Sequence, residues 1–167
     1  MKLWSLQRLS LKSWRKRMHD AIVIALSSPV LVGIYKDGYL VEEIRSEGMS
    51  SDVLAEIFDA LFKKYHFSHL IYAKGPGSFM GIKVTYLFLK TLSITKKIPL
   101  LATDAFFFNQ NSPIKAVGKL YFVKNRTTIE LEPLVSPEII AFELPKNIDI
   151  EKFDSDNLPY YGIDAVG

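Results

Sequence analysis

The sequence predicts an α/β fold, in which a mixed sheet with helices against it is followed by a smaller β-rich part. Three observations predict it. Three strand-like runs follow one another from Asp20 to Gly48, helix and strand then alternate as far as Thr103, and from Pro113 onward the helical period largely disappears.

The elements follow in order. "DAIVIAL" (20–26) is a short apolar run with the character of a buried strand, and a Ser27-Ser28-Pro29 turn separates it from the next. "VLVGIYKDGYLVEEIRSEG" (30–48) holds two strands around the hairpin signal Lys36-Asp37-Gly38, which gives an antiparallel meander. Ser50-Ser51-Asp52 offers N-cap chemistry. Val53, Leu54, Ile57, Phe58, Leu61 and Phe62 recur at helical spacing behind it, so a helix is expected over about 50–65, with Asp59 paired to Lys63. His66 and His69 fall where that helix gives way to a strand, "HLIYA" (69–73). A glycine-rich loop and a second helix, about 80–96, come next. Pro99 closes the helix's trailing segment and "PLLAT" supplies a fifth strand. Strand, strand, strand, helix, strand, helix, strand is the order of the ribonuclease H-like half found in actin and sugar kinases. Beyond it, "AVGKLYFVKNRTTIELEPLV" and "EIIAFEL" read as strands and "NIDIEKF" as a weak helix.

Three parts are expected: a basic tail over 1–19, a ribonuclease H-like domain over 20–110 and a shortened β-rich domain over 111–167. With 167 residues and 49% apolar content, the chain can bury a real core. Lys2, Arg8, Lys12, Arg15, Lys16 and Arg17 precede any acid, which leaves the remainder with 15 basic against 18 acidic residues. Leu3, Trp4, Leu6, Leu9 and Trp14 lie among those charges, a pattern for a basic amphipathic arm at an RNA or membrane surface, or for a tail disordered in solution. "RKRMHD" before "AIVIALSSPVLVGIY" imitates a targeting segment. Ser27, Ser28 and Pro29 interrupt it, and the expected location is cytoplasmic with no membrane contact.

Cysteine is absent, so disulfides, thiolate metal sites and cysteine nucleophiles are excluded. Three histidines without HExxH spacing point to no metal site. The loop "YAKGPGSFMGIKVT" (72–85) carries the one motif of interest. Gly75 and Gly81 are too far apart for a Walker A loop and Ile82 stands between the last glycine and Lys83, while GxGxxxG is one residue too long for a dinucleotide fingerprint. What survives is a strand-to-helix turn with Ser78 near a helix start, suited either to an anion or simply to a tight crossover.

"GPGSFMGIKV" is similar to the glycine loop of the bacterial TsaB (YeaZ) proteins, which assist in making threonylcarbamoyladenosine on tRNA. The resemblance runs from Ala21 to about Thr103 and includes "KKIPLLATDAF" after the second helix. It implies a non-catalytic member of the actin-like superfamily, a scaffold for the TsaD threonylcarbamoyltransferase. The implied partners are TsaD and a TsaE-type ATPase, with tRNA met indirectly and a homodimer formed when alone. No cofactor of its own is implied, ATP or ADP being admitted only at the complex interface. The loop residues it singles out are Gly75, Pro76, Gly77, Ser78, Phe79, Gly81 and Lys83. The expected partner surface is formed by the two helices through Leu54, Phe58, Leu61, Tyr86, Leu87 and Leu89, and the second helix is apolar nearly all round.

The chain also departs from the family. Leu26 stands where an aspartate ends the first strand, Ser50 where a histidine opens the first helix, Met80 for the loop threonine and Lys83 for the arginine after it. An actin-like enzyme that holds nucleotide phosphate on Gly75–Gly81 is the alternative, with Asp104 or Asp37 as metal ligand. Leucine in place of the acid argues against it.

Overall fold

In a computed structural model, the described residues are 18–163. They form β1 (Met18–Ile24), β2 (Val30–Lys36), β3 (Tyr39–Ser46), α1 (Ser50–Lys64), β4 (His66–Ala73), α2 (Phe79–Lys96) and β5 (Leu100–Thr103). A short 3-10 turn at Ala105–Phe108 leads into β6 (Ile114–Lys115), β7 (Leu120–Asn125) and β8 (Thr128–Pro133), and a second such turn covers Ile150–Lys152.

The main sheet has the order β3-β2-β1-β4-β5. β2 is antiparallel to both β1 and β3, while β4 runs parallel to β1 and β5 parallel to β4. This is the mixed ribonuclease H-like, or actin-like, sheet that the element order predicts. The hairpin turn carries Asp37 and Gly38 at φ 51° and 82°, the pair of positive values that a two-residue turn of the right twist requires.

Side-chain alternation along β1 divides the core. Ala21, Val23 and Ala25 point to the helix side, where Leu54, Phe58 and Leu61 of α1 and Leu89 of α2 close over them. Ile22, Ile24 and Leu26 point to the other side, where Ile114, Phe122, Leu144 and Phe153 cover them. The sheet is therefore buried on both faces, which is why β1 reads as a continuous apolar run rather than an alternating one. The C-terminal segment shares the sheet's core and forms its second cover.

Its last described stretch also guards the β5 edge. Asp154 and Ala102 exchange backbone hydrogen bonds of 2.9 and 2.8 Å, Asn157 Nδ2 donates to Leu100 O at 2.9 Å, and Tyr160 N donates to Lys74 O at 2.7 Å. An edge strand that would otherwise offer free donors and acceptors is thereby occupied.

Several expectations are corrected. The N-cap of α1 is Met49, whose carbonyl accepts from Asp52 N and Val53 N, and no side chain caps the helix. β4 begins at His66, so both His66 and His69 stand on the strand. "EIIAFEL" forms no strand: Ile140 N donates to Ser112 Oγ and Glu143 N to Phe108 O, partners scattered along a loop instead of a ladder. β1 starts inside the span expected as tail, and the basic residues 1–17 lie outside the described residues. Asp59 and Lys63 do pair, at 3.3 Å. Among the described residues no helix is long and apolar enough to cross a membrane.

Candidate functional site

β4 delivers the chain to Lys74 and α2 takes it up at Phe79, so the glycine loop lies at the end of the sheet where β1 finishes, against Leu26 just beyond that strand. The loop's glycines meet the chain itself. Gly75 has φ +118° and faces Tyr160 O so closely that a Cβ there would come within 1.9 Å of it. A Cβ on Gly77 would meet Leu26 Cβ at 2.8 Å, and one on Gly81 would meet Ala25 O at 2.1 Å. Close backbone approach is thus the loop's first requirement, and the space in front of it is filled by the strand end and the C-terminal segment.

The loop's donors are largely engaged within the chain as well. Ser78 N donates to Leu26 O at 2.8 Å, Ile82 N to Ser78 O at 2.9 Å, and Gly81 N to the capping Ser78 Oγ at 3.2 Å. An anion would find fewer open N–H groups here than an uncapped helix start presents. Pro76 follows a cis peptide bond. Phe79 is stacked on Tyr161 with ring centroids 4.3 Å apart, and Lys83 stands exposed in the early part of α2.

Two shallow cavities flank Ser78. One, of about 340 Å³, lies against the β1–β2 turn and the start of α1, and its only carboxylate, Glu47, accepts from Ser28 Oγ at 3.2 Å. The other, of about 280 Å³, is lined by Leu26, Gly77, Asn109, Lys115, Ile139 and Phe142 and has no carboxylate. Asn109 is buried and donates Nδ2 to Ser112 O at 3.0 Å, while its Oδ1 has no hydrogen-bond partner among the described residues. Leu26 is buried against Gly77 and presents no ligand atom to this end of the sheet.

The carboxylates considered for phosphoryl chemistry are committed elsewhere. Ala105 N donates to Gly75 O at 2.8 Å, which brings Asp104 next to the loop. Its carboxylate nevertheless binds Lys124 Nζ at 2.5 Å and caps Phe106 N at 2.9 Å. Asp37 lies in the β2–β3 turn, at the other end of the sheet, beside Asp20, His69 and Asp149. There His69 Nδ1 and Asp20 Oδ1 are 2.8 Å apart. Burial holds the Asp20 carboxyl above its ordinary range, with the His69 hydrogen bond opposing. Among the described residues no group of three His, Asp or Glu could hold a metal ion.

The helices place the six expected partner-surface residues unevenly. Leu54, Phe58, Leu61 and Leu89 are buried in the chain's own core and cannot also be a contact surface. Tyr86 packs partly against that core. Leu87 alone is well exposed, and it has two companions that the sequence reading missed: Met80, Leu87 and Ile94 are 58%, 54% and 67% exposed and recur every seven residues. α2 therefore has one buried side (Ile82, Thr85, Leu89) and one outward apolar side, instead of being enclosed all round. The seven-residue repeat was visible in the sequence. The apolar residues on every side concealed which repeat faced out.

No family model and no curated protein matches the chain. Among solved structures it is similar to YeaZ from Pseudomonas aeruginosa, at 12% identity and a TM-score of 0.54, over 74% of this chain and 66% of that one. It is also similar, at 14% identity and a TM-score of 0.49, to a protein described as having similarity to peptidase YeaZ from Pseudomonas aeruginosa, over 75% of this chain and 64% of that one. The chain spans just under two thirds of the length of these structures. At such identities the likeness to the first shows a shared fold.

Proposed function

We propose that this chain is a non-catalytic scaffold, working beside a TsaD-type threonylcarbamoyltransferase in the making of threonylcarbamoyladenosine on tRNA. The fold shared with YeaZ and the "GPGSF" loop favour that role. The observation that carries it is the outward stripe of Met80, Leu87 and Ile94 on α2, which the chain's own core does not use. Apolar side chains aligned along one helix face are what a partner helix buries. A scaffold instead of a nucleotide hydrolase also fits Leu26 at the end of the sheet and loop donors already spent on Leu26 O and Ser78. ATP or ADP at the partner interface, a TsaE-type ATPase in the assembly and a homodimer of the free chain belong to the same proposal.

The test is complex formation with a TsaD-type transferase in size-exclusion chromatography, followed by calorimetry. Leu87→Glu and Ile94→Glu place a charge where the partner would desolvate it, which costs several kcal/mol and weakens binding by roughly a hundredfold or more. Folded variants that bind as tightly as the wild type defeat the proposal.

A further inference from the structure

The cavity of about 280 Å³ between the glycine loop and the C-terminal cover changes character with depth. Leu26 and Ile114 are buried and Phe142 is half-buried, and with Asn109 they form its inner wall. Ser78 and Lys115 are exposed and stand at its mouth. Asn109 is only 1% exposed, and the direction of its amide is fixed by its neighbours. Nδ2 donates to Ser112 O at 3.0 Å, and the reverse orientation would set two oxygens against each other. Ser112 is held in turn, because its Oγ accepts from Ile140 N at 3.0 Å. The amide atom left over is therefore an acceptor, Oδ1, with no partner among the described residues. A buried acceptor without a donor is costly, so this wall calls for a donor. Water suits the place badly, since it needs about two to four polar partners and the other inner side chains are apolar. At the mouth, Lys115 is the one charged side chain that lines the cavity, and among the described residues no carboxylate pairs with it.

We infer that this cavity is a binding site for a small organic carboxylate that has an aromatic or branched apolar body and an O–H or N–H donor at its far end. The donor meets Asn109 Oδ1, the body lies among Leu26, Ile114 and Phe142, and the carboxylate faces Lys115 and the Ser78 hydroxyl. Few precisely placed polar groups on an apolar wall are the usual make-up of a small-molecule site. The volume, near the lower end of the range of about 300–1,000 Å³ for such sites, suits one ring with a short arm. The inference is independent of the scaffold reading, because Met80, Leu87 and Ile94 do not line the cavity.

Calorimetry on the full chain compares three probes: 4-hydroxyphenylacetate, which has the donor, the ring and the carboxylate; phenylacetate, which lacks the donor; and 4-ethylphenol, which lacks the carboxylate. The wild type should bind 4-hydroxyphenylacetate about fivefold or more tighter than phenylacetate. Asn109→Leu, checked for folding by its melt, should erase that preference. Lys115→Met, at an exposed position, should weaken both carboxylates by about threefold and leave 4-ethylphenol unchanged. Three results overturn the inference: no binding of any probe to the wild type at millimolar concentration, equal wild-type affinities for 4-hydroxyphenylacetate and phenylacetate, or carboxylate affinities untouched by Lys115→Met. A preference that survives in folded Asn109→Leu also overturns it, since the phenol then bonds elsewhere. Should Asn109→Leu fail to fold, the wild-type preference and Lys115→Met decide the matter.

Discussion

The ring of Tyr161 stacks on that of Phe79 with centroids 4.3 Å apart and planes inclined by 28°. Two residues more than eighty positions apart thus fasten the C-terminal segment to the first turn of α2. In a double-mutant cycle, Phe79→Ala and Tyr161→Ala should show a coupling of about 1 kcal/mol by urea denaturation. Additive losses would mean that the stack contributes nothing beyond each ring's own burial.

Gly75 should be among the least replaceable residues of the loop. Its φ of +118° is outside the range of L side chains, and a Cβ would meet Tyr160 O at 1.9 Å. Gly75→Ala should cost about 3 kcal/mol, read as a melting midpoint lowered by roughly 10 °C for a domain of this size. A midpoint within a degree of wild type would show that the C-terminal segment yields at no cost.

The two classes of helix residue predict opposite outcomes for one chemical change. Leu54→Glu buries a carboxylate inside the core and should abolish cooperative unfolding. Leu87→Glu stays in water and should leave stability within about 0.5 kcal/mol. Circular-dichroism melts of the pair decide whether α2 carries the outward face described above.

Asp20 ties stability to pH. Its carboxyl is held above the ordinary value of 3.8, first by burial. The unfolded chain therefore ionises it more readily than the folded one. The stability it contributes is full below its ordinary value and is lost as the pH rises through the raised folded-state value. Measured against Asp20→Asn, the wild type should lose stability as the pH rises from about 4. A difference that grows with rising pH would reverse the sign and make the His69 contact the larger effect.

Much of the sheet could be read from local signals. Lys36-Asp37-Gly38 marks a turn because its geometry demands positive φ, and Leu54, Phe58 and Leu61 mark a helix because their period matches the face they bury. Helix α2 was harder, since Met80, Leu87 and Ile94 are as apolar as Ile82 and Leu89, and only the position of the sheet distinguishes them. "EIIAFEL" alternates like a strand, yet its backbone is satisfied by Ser112 and Phe108, which no local pattern announces. The glycine loop showed its tightness in sequence but not its neighbours. Tyr160 and Tyr161 reach it only after the whole C-terminal cover has been laid across the second face of the sheet.

The spacing of Met80, Leu87 and Ile94 also fixes how a second helix can follow them. Three contacts over fourteen residues extend about 21 Å along α2. A seven-residue repeat falls about 20° short of two full helical turns, so the row winds gently left-handed around the helix axis. A companion helix that keeps all three contacts must incline with that winding, crossing α2 at about 20° with axes roughly 8–10 Å apart. A helix crossing at a steep angle would touch Leu87 and leave Met80 and Ile94 in water.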